Sequence, residues 1–492
     1  MVRIPTLKFD RGTLVLHPPP RGKAWIDYAV WDDRIERFRA PANQYRALVE
    51  SLRSEGVSFK DLAPKFAPLT LTPRFNLQPY VHQQEALQAW IQAKWRGVVV
   101  LPTAAGKTYL AQLAMQATPR STLITVPTLD LMHQWYAHLE AAFPTVEIGL
   151  LGGGSRDRTP ILVATYDSAA IHAETLGDQY ALLICDECHH LPSDFNRVIA
   201  EYSIAPYRLG LTATPERADG RHEDLNTLLG PVVYRKTAEE LSGQALAPYQ
   251  VIQIKVKLSE AERKRYDALI QRRNAFLQEA SIWLGTAQGW RRFVRASAQS
   301  QAGRRAMLAH QEAKAIALGT EGKLHILANL LVQHFPERTL IFTNDNATVY
   351  RISQDFLIPA ITHQTPVKER HAILQKFREG DYQTLVVSHV LNEGVDVPEA
   401  RIAILLSGTG STREYIQRLG RVLRKGAGNK LALLYEVVAE ETTEEGISQR
   451  RRKQPKPKAT SNQLELASVK PVYDIAASGT PRAAEEIDNW NT

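Results

Sequence analysis

Five short apolar runs, GVVVLPT from Gly97, STLITVPT from Ser121, PILVATY from Pro160, ALLICDE from Ala181 and YRLGLTAT from Tyr207, alternate with polar stretches of helix length. Strands buried on both faces need continuous apolar runs of this kind, so the alternation predicts a parallel sheet covered by helices on both sides. The same pattern resumes after Pro336 with TLIFTN, AITHQ, TLVVSHV, IAILLSG and LALLYEVV. Two α/β domains follow. Between them, Pro248 and Pro336 enclose a stretch without proline, rich in Ala, Gln, Arg and Glu, which reads as long helices. Before the first α/β pattern, Leu7–Leu16 and Trp25–Trp31 read as short strands separated by the turn HPPPRGK. Pro41 then opens a helix through Leu52, with Tyr45, Leu48 and Leu52 at helical spacing. This makes a small α+β unit. From Gly446 onward, QRRRKQPKPKATS is basic, proline-containing and poor in aromatics, the composition of a flexible tail. The expected segments are 1–73, 74–245, 246–445 with a helical insertion over about 258–320, and a tail over 446–492.

Bulk properties narrow the function. A chain of 492 residues allows three or four domains of roughly 150 residues each. Its formal net charge of +8 favours a polyanionic partner, most simply nucleic acid. Met1 to Gly12 has no apolar signal core, and no apolar run approaches the roughly 18 residues that span a bilayer. A cytoplasmic protein without a membrane partner is expected. The two cysteines of the chain lie in one stretch, ALLICDECHHLP, so no disulfide framework exists and a reducing compartment is expected.

That stretch has several readings. Cys185 to His189 spells C-x-x-C-H, the attachment signal of a c-type haem, and two Cys with two His also suggest zinc or a redox pair. Neighbours on a strand project to opposite faces, so the four side chains converge only if the chain coils tightly there. The other reading makes Asp186 and Glu187 the acidic pair that ends a buried strand beside a phosphate site. VVVLPTAAGKTYLA supplies that site: Gly106, Lys107 and Thr108 stand between a buried strand and a helical stretch. A turn there aims backbone N–H groups at a phosphate. Lys107 would reach the β and γ phosphates of ATP, Thr103 lies in the same loop, and the Thr108 hydroxyl would ligate Mg2+. Asp186 would hold the metal and Glu187 would orient or deprotonate the attacking water. Cys185 is then a small buried apolar residue.

The phosphate loop, CDECHH, GLTATPER, LNEGVDVPEA and QRLGRVLR follow one another in the order and spacing of superfamily 2 helicases, over most of Tyr80 to Val438. Within that superfamily the chain resembles the XPB-like DNA helicases. The resemblance implies two RecA-like parallel-sheet domains, a small N-terminal damage-recognition-like α+β domain and a helical thumb insertion. In QRLGRVLR, spacings of four and three place Gln417, Arg421 and Arg424 on one helix face, suited to the charge of a phosphoryl transition state. By resemblance, Gln83 reads the adenine, Thr212 and Thr214 couple the nucleotide and DNA sites, Thr128 and Thr165 lie in DNA-backbone motifs, and Glu393, Gly394 and Asp396 bridge nucleotide and strand. Thr212 and Thr214 also read as plain capping hydroxyls.

Arg217, Ala218 and Asp219 stand where the family carries Arg-Glu-Asp, so the glutamate is missing. Ala104 in PTAAGKT replaces a usual glycine, which calls for a negative φ at that position. The stretch Glu260 to Arg305 fits the thumb and mixes Arg291, Arg292 and other cations with Trp283, Trp290 and Phe293, a set able to grip phosphates and stack bases or to pack internally. The resemblance thus implies an ATP- and Mg2+-dependent 3′–5′ helicase or translocase acting in DNA repair, on single-stranded or forked DNA, as a monomer, with an endonuclease as a further partner. The alternatives are a nucleotide-switched DNA-binding scaffold, motivated by Ala218, and an RNA-directed or restriction-type translocase.

Overall fold

The computed structural model describes residues 4–23, 25–75, 77–217, 219–243, 247–388, 400–407 and 431–452. Among these, residues up to Ala247 form one compact unit and residues from Pro248 a second.

The first unit begins with a five-stranded sheet in the order Val30–Asp32, Arg37–Pro41, Thr13–His17, Thr6–Asp10, Lys60–Asp61. The run expected as one strand over Leu7–Leu16 is a hairpin, because Arg11 and Gly12 both adopt positive φ, 44° and 82°. A two-residue turn of that hand matches the strand twist. Trp25–Trp31 forms turns rather than a strand, with only Val30–Asp32 pairing. Trp25 is buried and stacks edge-on against Phe38, whereas Trp31 is half exposed. The helix Tyr45–Ser54 buries Tyr45, Leu48, Val49 and Leu52 on this core.

The rest of that unit is an eight-stranded sheet. Its order is Val232–Arg235, Arg96–Val100, Tyr207–Thr212, Leu182–Asp186, Thr122–Val126, Ile161–Thr165, Ile148–Gly152, Ser155–Arg156. All pairs are parallel except the terminal hairpin. The five apolar runs supply the central strands. Ile148–Gly152 and Val232–Arg235 have weaker signals, since the first mixes buried and half-buried positions and the second has no fully buried residue. The C-terminal ends of Arg96–Val100, Tyr207–Thr212 and Leu182–Asp186 lie side by side, and a ligand crevice forms at such ends in open parallel sheets.

The second unit has a six-stranded parallel sheet in the order Tyr249–Val256, Ala432–Ala439, Ile402–Leu405, Thr339–Phe342, Thr384–Val387, Ala360–Ile361. Tyr249–Val256 corrects the expectation of an all-helical stretch after Pro248. YQVIQIKV is rich in β-branched residues and pairs along its whole length with Ala432–Ala439. Helices Glu260–Glu279, Ala287–Gln299 and Gln301–Gly319 follow, and small residues Ala309, Ala313 and Ala317 let the third pack against Leu269 and Tyr266 of the first. The stretch Gln301–His334 is long and apolar enough to cross a membrane by length and composition, but Thr320, at ψ 142°, breaks it into two helices. Gly446–Arg452, expected to begin the tail, instead continue the helix Thr443–Arg452. Burial of Glu444 and Ser448 against this unit explains the difference.

Candidate active site

The strand Arg96–Val100 delivers the chain into a tight loop, and Gly106 in left-handed conformation caps the helix Lys107–Ala117. Ala104 also takes a positive φ, 68°, contrary to the expected negative value. The loop demands the left-handed turn whichever residue fills it, so alanine carries a steric cost of about 1–2 kcal/mol there. Thr103 Oγ1 is buried without a hydrogen-bond partner, and Lys107 Nζ donates to the Leu101 carbonyl at 3.2 Å. A cradle of helix-start amides with a spare buried hydroxyl and a lysine fits a polyphosphate.

Gln83 is buried at the start of the helix Val81–Gln92. Its Oε1 accepts from the Tyr80 amide at 2.9 Å, and its Nε2 donates to the Gly106 carbonyl at 3.1 Å. It therefore braces the phosphate loop directly.

Asp186 ends the buried strand Leu182–Asp186, and Glu187 follows in left-handed conformation, φ 46° and ψ 51°. Such backbone strain in a non-glycine residue persists where surrounding contacts impose it. Those contacts are visible. Glu187 Oε1 lies 3.8 Å from Lys107 Nζ, and its Oε2 lies 3.3 Å from Thr212 Oγ1 and 3.5 Å from His189 Nδ1. Thr212 Oγ1 also accepts from the Thr214 amide at 3.2 Å and sits 3.0 Å from His189 Nδ1. The Thr212 hydroxyl thus meets the Glu187 carboxylate and the Thr214 backbone and caps no helix.

Asp186 is held differently. Its Oδ2 accepts from the Trp135 indole at 2.8 Å, its Oδ1 from the Glu187 amide at 3.0 Å, and its carbonyl from the Tyr166 hydroxyl at 2.8 Å. Burial raises its pKa to about 6, with Glu187 adding to the rise and Lys107 and Trp135 opposing it. A buried carboxylate so short of compensating charge, with the Thr108 hydroxyl in the first turn of the helix Lys107–Ala117, is a donor set of hard oxygens that suits Mg2+.

The metal-cluster reading of CDECHH has a physical obstacle. The chain does coil tightly, as a short 3-10 helix over Cys188–His190. Both thiols are fully buried, however, and burial pushes Cys185 up to about 12 and Cys188 well above the ordinary thiol value. The thiolate needed for ligation or exchange is disfavoured.

Arg217 forms a two-pronged pair with Asp219, at 2.9 and 2.7 Å, and donates a third bond to the His189 carbonyl at 2.7 Å. This guanidinium holds the Asp219 carboxyl well below the usual range. Thr128 and Thr165 each cap a helix, accepting from Leu131 and Ser168 amides at 3.3 Å. Arg291 and Arg292 are exposed on Ala287–Gln299, while Phe293 is buried between Phe276 and His310 and Trp290 packs on both Phe293 and His310. Of the insertion's aromatics, Trp283 projects furthest, 77% exposed. Gln417, Arg421, Arg424, Glu393, Gly394, Asp396 and Ala218 lie outside the described residues. Trp135 and Tyr166 carry no sequence signal, because each looks like an ordinary core residue of its element, and the sequence offers His189 only as a haem or zinc ligand.

Residues 7–63 match the Xeroderma pigmentosum group B helicase damage recognition domain. Residues 76–217 match the family described as Type III restriction enzyme, res subunit, and residues 322–426 match the helicase conserved C-terminal domain. The chain is 41% identical over 423 residues to the DNA 3'-5' translocase XPB2 of Sulfurisphaera tokodaii, covering 86% of this chain and 95% of that one. It is 29% identical over 455 residues to the DNA 3'-5' helicase XPB of Mycobacterium tuberculosis, covering 88% and 70% respectively. In fold it is similar to the Hef helicase domain of Pyrococcus furiosus, with a TM-score of 0.52 and 19% identity over 78% of this chain and all of that one.

Proposed function

The chain belongs to the XPB-like family of superfamily 2 DNA helicases, and on that premise we propose that it couples ATP hydrolysis to 3′–5′ movement along DNA in the service of DNA repair. The observation that carries the hydrolytic step is the clamp on Glu187 from Lys107, Thr212 and His189, beside the buried carboxylate of Asp186.

Each residue then has a task. The loop amides up to Gly106 and the Lys107 ammonium bind the phosphates, with the Thr103 hydroxyl available beside them. Asp186 and Thr108 would hold Mg2+, which when bound neutralises charge on the phosphate oxygens. Glu187, its carboxylate oriented by Thr212, accepts the proton of the attacking water. His189 stands beside Thr212 on the same carboxylate oxygen, opposite Lys107 on the other, and Arg217 holds the His189 carbonyl. A change at Arg217 therefore reaches the general base through one residue. Gln417, Arg421 and Arg424 complete the reading from the second RecA-like domain, with Gly394 and Asp396 in the linking motif.

The partner is DNA. That the preferred form is single-stranded or forked, that the protein acts as a monomer in a reducing cytoplasm, and that an endonuclease works beside it belong to the same proposal. The free buried thiols of Cys185 and Cys188 fit such a compartment.

The test is ATP turnover measured with single-stranded DNA, duplex DNA and RNA at one stated salt concentration, because phosphate contacts make affinity salt-dependent. Lys107→Ala and Glu187→Gln are each expected to abolish DNA-stimulated turnover while leaving the circular dichroism of the fold intact. Full turnover in either variant overturns the assignment. Strand displacement measured alongside separates a motor from a nucleotide-switched scaffold, which releases no strand at any ATP concentration.

A further inference from the structure

We propose that the Trp135 indole and the Tyr166 hydroxyl are positioning residues that tie Asp186 to the segments beginning at Thr128 and Thr165, so that DNA bound there alters the magnesium requirement of the hydrolysis site. The inference rests on the reading of Asp186 as the magnesium-holding carboxylate.

Three neighbouring strands create the arrangement. Thr122–Val126 lies between Leu182–Asp186 and Ile161–Thr165, so the exits of all three are adjacent. The first exit leads through Pro127 and Thr128 into the helix Leu129–Ala142, and the third leads through Thr165 into Tyr166–Ile171. Trp135 lies seven residues beyond Thr128, roughly 10 Å along a rigid helix at 1.5 Å per residue. From there its Nε1–H donates to Asp186 Oδ2 at 2.8 Å, while the Tyr166 hydroxyl donates to the Asp186 carbonyl at 2.8 Å. Trp135 and Tyr166 are 2% and 3% exposed.

An indole has a single N–H. A tryptophan serving only as core is satisfied by any backbone carbonyl, as Trp90 is by the Arg208 carbonyl. Trp135 instead spends its donor on a buried ionisable oxygen. The two segments read as strand contacts thus each place one donor on the same aspartate, one on the side chain and one on the main chain. A displacement of either helix shifts an Asp186 oxygen. By reciprocity, a metal that fixes Asp186 favours the helix position that binds the strand.

The experiment uses the full chain. The magnesium concentration for half-maximal effect is measured twice, once by ATP turnover and once by binding of a fluorescent non-hydrolysable ATP analogue. Both are run with and without a single-stranded oligonucleotide at fixed salt. In the unmodified protein DNA is expected to lower the magnesium midpoint severalfold. Trp135→Phe keeps an aromatic ring but removes the donor. It is expected to raise the DNA-free midpoint by about tenfold, the size of one hydrogen bond to a charged group, and to abolish the DNA-induced change. Tyr166→Phe, nearly isosteric, is expected to reduce that change and decides the matter should Trp135→Phe melt at a lower temperature. The proposal is overturned when DNA leaves the midpoint unmoved in the unmodified protein, or moves it as far in both variants as in the unmodified protein. Asp186→Asn separates the premise from the inference. An unaltered magnesium midpoint in that variant refutes the metal reading itself, whereas a raised midpoint there with a normal Trp135→Phe refutes only the positioning role.

Discussion

Replacing Lys323 by methionine is expected to destabilise the second unit by about 3–5 kcal/mol, the cost of removing one partner from a buried ion pair. The side chains of Lys323 and Glu444 are each 2% exposed. Lys323 Nζ donates to Glu444 Oε1 at 2.8 Å, to Glu444 Oε2 at 2.7 Å and to the Leu406 carbonyl at 2.7 Å. Its three protons therefore match three acceptors. Glu444 Oε2 also accepts from the Ala439 amide at 2.9 Å. Without the ammonium, the buried carboxylate keeps the Ala439 amide but loses its cation, and the Leu406 carbonyl loses the Lys323 donor. Glu444→Leu leaves the opposite imbalance and is expected to cost a similar amount. The double variant Lys323→Met with Glu444→Leu removes both charges together, so its cost should fall well below the sum of the singles, a coupling of more than about 2 kcal/mol. Because the chain has several domains, the readout is hydrogen exchange of the Ala432–Ala439 amides and of the helix Thr443–Arg452 across a urea series, not a single global transition. A single variant costing under about 1 kcal/mol, or strict additivity in the double, refutes the argument that burial makes this pair interdependent.

Three further outcomes are expected. Ala104→Gly relieves the left-handed alanine, worth about 1–2 kcal/mol, against about 0.4–1 kcal/mol of added freedom in the unfolded chain, so the melting temperature of the first unit should rise slightly; a fall contradicts the strain. His310 sits against Trp290, Phe293 and Arg273, and burial, reinforced by Arg273 and Lys314, depresses its pKa from 6.5 to about 4. The unfolded chain then binds the proton first, so the helical insertion loses stability as pH falls from about 6.5 to 4 and keeps it above that window. Exchange protection around Phe293 should follow that course, and His310→Phe should flatten it. Replacing exposed Arg291 and Arg292 together by alanine should lower the salt slope of DNA binding by about 1.5, and an unchanged slope would remove these side chains from the DNA contact.

The α/β character was legible because strands buried on both faces must be continuously apolar, and all five runs of the first sheet are central strands. Some misreadings were local, as at the Arg11–Gly12 turn, and the larger ones involved residues whose partners are distant in sequence. Tyr249–Val256 is a strand because Ala432–Ala439, almost two hundred residues later, pairs with it. Gly446–Arg452 look like solvated tail in composition, yet Glu444 finds Lys323 and Ser448 finds Glu436, so the segment folds as helix. At the site, Lys107, Asp186, Glu187 and Thr212 were visible as motif residues. Trp135 was not, since an indole at helical spacing reads as core until its N–H is seen to meet a carboxylate.

The two left-handed non-glycine residues of the phosphate site, Ala104 and Glu187, call for different explanations. Ala104 carries strain that a glycine would remove, and no described contact in the site requires its methyl group. Glu187 is strained by the same conformational class, but glycine there would delete the carboxylate that Lys107, Thr212 and His189 surround. The left-handed turn directly after Asp186 matters because successive strand residues point to opposite faces. An extended Glu187 would project away from Asp186, and the general base and the metal carboxylate would end on opposite sides of the sheet. Turning the chain at Glu187 brings both acids to the mouth of the phosphate loop. The following tight turn then brings His189 onto Thr212 and exposes its carbonyl to Arg217. The strain at Glu187 is thus the local cost of adjacent acids sharing one face, and the ring of contacts around its carboxylate is what offsets it.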